Sequence, residues 1–107
     1  MSTRALIRLP KVIRAGEAFE VRTTLGHPME TGYRRDSDGV LQPRDIVRRF
    51  EARLDGETVF AADLHPAIAA NPYVAFWLTA GRSGVLELHW TGDRGLDHRE
   101  RVDLVVT

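Results

Sequence analysis

The stretch Ile46-Val47-Arg48-Arg49-Phe50-Glu51-Ala52-Arg53-Leu54-Asp55-Gly56 decides the fold class. Phe50, Ala52 and Leu54 share one side of an extended chain, and Arg49, Glu51 and Arg53 share the other. That period of two marks a strand with one buried and one solvated face. Asp55-Gly56 is the strongest two-residue hairpin signal in the chain, so a return strand is expected over Thr58 to Leu64.

Similar signals recur on both sides at about ten-residue intervals, the spacing of an antiparallel sandwich. A short strand over Ala5 to Leu9 is closed by Pro10. Glu17 to Leu25 alternates, with Phe19, Val21, Thr23 and Leu25 on one face and Glu20, Arg22 and Thr24 on the other. Beyond the hairpin come Tyr73 to Thr79, then Val85 to Thr91, then a turn at Gly92 to Gly95 and a last strand over His98 to Val106. A polar loop spans Gly32 to Arg44, and His65 to Ala70 can form a short helical turn with Pro66 at its first position. The expected fold is all-β, a two-sheet sandwich with Phe19, Val21, Phe50, Leu54, Phe76, Leu88 and Trp90 inside.

A chain of 107 residues is enough for one domain and one core, here spanning residues 1–107. Fifteen basic and fifteen acidic side chains cancel, which gives no general pull toward nucleic acid or an anionic membrane. There is no cysteine, so disulfides, thiolate metal sites and a cysteine nucleophile are excluded. No segment is apolar enough to span a bilayer, and Arg4 and Arg8 interrupt the first ten residues, which therefore contain no signal-peptide hydrophobic region. Taken alone, that N-terminus indicates the cytoplasm.

Catalytic and metal-binding patterns are weak. His27, His65, His89 and His98 show no ligand spacing, although His89 and His98 flank one hairpin turn and can approach each other. Ser2, Ser37 and Ser83 lack a nucleophile-elbow context. Asp36 and Asp38, within Asp-Ser-Asp-Gly, more often cap a turn than pair as carboxylates. No catalytic residue, cofactor site or metal site is assigned.

Two places invite recognition instead. The run Gly26-His27-Pro28-Met29-Glu30-Thr31-Gly32 follows a strand that Pro28 must end or bulge. His27, Met29 and Glu30 are expected to project from irregular backbone there, either as a structural bulge, as a recognition element, or as both. The second place is Tyr73 to Leu78, apolar on both faces: Val74, Phe76 and Leu78 enter the core and leave Tyr73, Ala75 and Trp77 opposite. Either a connection of the same chain covers that opposite face or a partner does.

The chain resembles the SoxZ sulfur-oxidation family. The resemblance rests on Ala15-Gly16-Glu17, the His27-to-Gly32 run, Arg35-Asp36, Phe50 to Gly56, Asn71-Pro72-Tyr73-Val74-Ala75-Phe76 and the Trp90 strand, in that order. It implies an immunoglobulin-like β-sandwich of about seven antiparallel strands. It further implies a noncatalytic subunit that pairs with SoxY, the carrier of sulfur intermediates on a cysteine, as a heterodimer or a pair of heterodimers, with transient contacts to other Sox enzymes. The implied location is the periplasm, reached by export with a signal-bearing SoxY. The partner-binding residues expected from the two places above are His27, Pro28, Met29, Glu30, Thr31, Gly32, Tyr73 and Trp77. The alternative is a free-standing immunoglobulin-like ligand-binding or adhesion module.

Overall fold

Seven strands form where the alternation predicts them, in a computed structural model that describes residues 4–107. Ser2 lies outside the described residues. The strands are β1 (Ala5–Arg8), β2 (Ala18–Leu25), β3 (Val47–Leu54), β4 (Glu57–Asp63), β5 (Tyr73–Thr79), β6 (Gly84–Gly92) and β7 (Asp97–Leu104). One sheet has the order β1-β2-β5 and the other β4-β3-β6-β7, with every neighbouring pair antiparallel. The protein is an all-β, immunoglobulin-like sandwich.

Local chemistry sets the connections. Asp55 (φ +49°) and Gly56 (φ +85°) both take the left-handed region, the pattern of a type I′ turn, and Leu54 pairs with Glu57 across it. The last strand stops at Leu104 rather than Val106. There the chain leaves β6: Val106 donates its N–H to Ser83 Oγ at 2.8 Å and bridges in parallel to Ile13. His65 to Ala70 forms no helix; one turn closes where Ile68 N–H donates to the His65 carbonyl at 3.0 Å. Asn71, at φ +54° before Pro72, then redirects the chain into β5.

Aromatic rings join the sheets. Phe50 of β3 lies 5.2 Å from Trp90 of β6 and 5.9 Å from Phe76 of β5, ring centre to ring centre. Phe60 of β4 stacks on Phe76 at 4.8 Å. Phe19, Val21, Phe50, Phe76, Leu88 and Trp90 are buried, and Leu54 is half-buried beside the hairpin turn. Offset and tilted aromatic pairs of this kind add about 0.5–1.5 kcal/mol each beyond area burial.

Candidate partner-binding surface

The His27-to-Gly32 run leaves the end of β2 and is fixed almost atom by atom. Gly26 donates its N–H to the Arg4 carbonyl at 2.7 Å. His27 Nδ1 accepts the Met29 N–H at 3.0 Å, so the proton of the neutral imidazole sits on Nε2, 3.5 Å from Asp45 Oδ1. Met29 takes φ +52°, and that left-handed turn swings its side chain into the core. Only 5% of Met29 is exposed, and its Sδ accepts the Val47 N–H at 3.2 Å.

The outward projection expected for His27 and Met29 is therefore corrected. Both are buried, because the inward alternation of β2 runs on through positions 27 and 29 past Pro28, and the left-handed turn at Met29 keeps its thioether against the Val47 amide. Pro28 is exposed, and Glu30, Thr31 and Gly32 are half-buried. Glu30 accepts from Arg34 at 3.2 and 3.3 Å, and its main chain exchanges 2.8 Å hydrogen bonds with Asp45. Thr31 Oγ1 accepts the Tyr33 N–H at 3.2 Å. Gly32 (φ +88°) packs so closely on Arg44 that an added Cβ would stand 3.0 Å from the arginine Cβ.

The two sequence blocks singled out above meet in space. His27 N–H donates to Asn71 Oδ1 at 3.0 Å, and Asn71 N–H returns a 2.7 Å bond to the His27 carbonyl. Leu25 N–H donates to the Pro72 carbonyl at 3.1 Å. The Asn-Pro-Tyr block thus clasps the base of the His-Pro-Met-Glu-Thr-Gly run and leads directly to Tyr73. Sequence reading missed this role of Asn71; an asparagine before proline, a common turn initiator, was the available signal.

The outer faces of the two sheets differ in kind. On β1-β2-β5, Tyr73 is 59% exposed, Trp77 67% and Leu6 55%. The register sets Leu6, Thr24 and Tyr73 in one row and Glu20 and Trp77 in another. Between them Arg22 donates to Glu20 at 2.6 Å, a contact that raises the guanidinium pKa. No connection of the described chain covers these aromatics, so of the two readings for Tyr73 and Trp77 the internal cover is set aside. The β4-β3-β6-β7 face is instead a lattice of ion pairs. Arg53 and Arg49 converge on Glu51, Arg49 reaches Asp63 at 3.1 Å, and His89 Nε2 lies 2.5 Å from Asp97 Oδ1. The Arg53 hydrogen bond holds the Glu51 carboxyl below the usual carboxylate range, and His89 does the same for Asp97.

The remaining candidates are explained by structure. His89 and His98 occupy opposite faces of their hairpin and pair separately, His98 with Glu100 at 2.8 Å, so they do not converge. Asp36 Oδ1 accepts the Asp38 and Val40 N–H groups at 2.9 Å and caps the turn. Among the described residues no three His, Cys, Asp or Glu side chains group as metal ligands. An open hollow of about 540 Å³ is lined by Arg44, Arg48, Arg49, Asp63 and His65. Arg44 and Arg49 there are already engaged, by Asp93 and Asp63.

The family model for the sulphur oxidation protein SoxZ matches residues 7–103. The chain belongs to the SoxZ family. Membership gives this SoxZ-family chain a role in sulfur oxidation and implies association with SoxY in the Sox system. No curated protein matches it. Among solved structures, the superoxide reductase (neelaredoxin) from Ignicoccus hospitalis is similar, with a TM-score of 0.73 at 22% identity over 98% of this chain and 82% of that one. A candidate superoxide reductase from Thermotoga maritima gives 0.71 at 16% identity over 96% and 85%. The CARDB domain of a Pyrococcus furiosus protein, in complex with di-metal ions, gives 0.53 at 13% over 98% and 92%. At these identities the likeness shows that the SoxZ-family chain shares their fold.

Proposed function

We propose that this chain is the noncatalytic subunit of the SoxYZ sulfur-carrier complex of thiosulfate oxidation. It binds a cysteine-bearing SoxY subunit as a heterodimer and presents the loaded cysteine to the Sox enzymes that act on it. It works in the periplasm, to which it is exported together with a signal-bearing SoxY. The SoxZ-family match supports the system, and the chain's lack of any thiol assigns covalent sulfur to the partner. A rigid sandwich contributes position: it keeps a tethered reactive group at high effective concentration near its enzymes.

The observation that carries the binding role is the exposed pair Tyr73 and Trp77, on a strand anchored to the His27-to-Gly32 run through Asn71. Large aromatics exposed on a rigid frame are the usual anchors of an interface, and a stable one buries more than about 1,000 Å² in total. Pro28, Glu30, Thr31 and Gly32 contribute from the rim, while His27 and Met29 act only by shaping the backbone. Trp77→Ala is expected to weaken SoxY binding by more than about 1 kcal/mol in titration calorimetry. The melting temperature of the isolated variant should stay unchanged, since Trp77 is 67% exposed. Equal affinity of variant and parent would move the interface away from β5.

A further inference from the structure

Four strands lie at sheet edges: β1 and β5 in one sheet, β4 and β7 in the other. Open edges invite pairing with foreign chains, and proteins blunt them with shortness, proline, charge or bulges. β1 is four residues long, and Pro10 follows it closely. β4 begins at Glu57, ends at Asp63 and faces a register shift between Ala52 and Arg53. β7 reads Asp97-His98-Arg99-Glu100-Arg101-Val102-Asp103-Leu104, charged along most of its length. β5 has Pro72 just before its first residue and none of these devices within it. Tyr73-Val74-Ala75-Phe76-Trp77-Leu78-Thr79 carries no charge, proline or glycine, and its register with β2 is unbroken.

The direction of its free main-chain groups follows from the ladder. The Leu25-to-Pro72 hydrogen bond continues the β2–β5 register, and bonded pairs alternate along an antiparallel ladder. Thr23↔Val74, Val21↔Phe76 and Phe19↔Leu78 are therefore the bonded pairs. The Thr23 hydroxyl, donating to the Val74 carbonyl at 2.8 Å, agrees with that direction. The N–H and C=O groups of Tyr73, Ala75, Trp77 and Thr79 point away from β2, into the open edge. The side chains of the same four residues turn to the outer face.

We propose that β5 accepts an extended strand of SoxY, so that the three-stranded sheet becomes four-stranded across the subunit boundary. This rests on the proposed SoxY-binding function and adds the mode of binding. SoxY is the occupant because family membership implies that association. The edge is also continuous with the Tyr73 and Trp77 patch, so one strand with its flanking side chains covers both. Main-chain bonds supply affinity in such strand addition, and alternate side chains packing against the two aromatics supply selectivity. A second copy of this chain is the competing occupant.

Residue-resolved amide hydrogen exchange on the full chain, alone and in complex with SoxY, tests the mode. In the complex the amides of Tyr73, Ala75, Trp77 and Thr79 are expected to slow by at least about tenfold, while Val74, Phe76 and Leu78 are slow in both states. A complex that forms without slowing those four amides overturns strand addition and leaves SoxY binding standing. Slowing in the chain alone as its concentration rises overturns it in favour of a second copy. Failure to form any complex overturns the binding function and the mode together.

Discussion

Met29 sits at φ +52° with its thioether buried and its sulfur accepting the Val47 N–H, so its side chain joins the exit of β2 to the start of β3. Met29→Ala removes both packing and acceptor, and is expected to cost about 2–5 kcal/mol. The check is a lowered urea midpoint at unchanged slope. Local pattern marked this run as irregular, yet the inward alternation of Phe19, Val21, Thr23 and Leu25 continues through it to His27 and Met29. What alternation does not show is the clasp that holds the run in that register past Pro28, the exchange of hydrogen bonds with Asn71, 44 residues away. Tyr73 and Trp77 were legible as an excess, since a strand apolar on both faces has more apolar surface than one core consumes. Whether a connection of the same chain covers that excess depends on the path of distant loops, and the structure leaves it exposed.

The β3–β4 hairpin is the element that sequence defined most fully, because both its alternation and its turn are local. Gly56 takes φ +85°, and a Cβ added there would meet nothing within 4 Å. Gly56→Ala therefore isolates backbone strain, about 1–2 kcal/mol, and calorimetry should show the melting temperature lowered by roughly 4–8 °C for each kcal/mol. An unchanged melting temperature would mean that the turn type is misassigned. Strand existence was legible throughout, and strand ends shifted by a residue or two where tertiary bonds intervene, as at Ser83 and Val106. Edge position was not legible, since it depends on sheet order, which no single strand encodes.

At the scale of the molecule the sandwich measures 57 × 22 × 20 Å, with a radius of gyration of 16.1 Å, against about 13 Å for a compact chain of this length. Its two outer faces differ in character, one carrying exposed aromatics around the Arg22–Glu20 pair, the other a lattice of ion pairs. Off those faces, Arg44 grips Asp93 through two bonds of 2.8 and 3.0 Å and holds that carboxyl below its usual range, as Arg53 does for Glu51 and His89 for Asp97. With folded pKa values depressed, the unfolded chain takes up protons first. Stability from these pairs is complete above about pH 5 and is lost as pH falls through about 4 and below. Asp93→Asn should lower stability at neutral pH and flatten the acid slope, read as urea midpoints between about pH 3 and 6; an unchanged slope would assign the acid sensitivity elsewhere. The β2–β5 ladder has a kinetic consequence as well. Thr23 and Val74 pair across 51 residues, whereas the β3–β4 and β6–β7 hairpins close over short turns. Short loops close at less entropic cost, so the hairpins form early and β5 waits for a distant partner. While it waits, a nascent chain presents seven uncharged, β-prone residues to its neighbours, the kind of segment that seeds aggregates. The yield of soluble protein then depends on timing, on how soon β2 closes against β5.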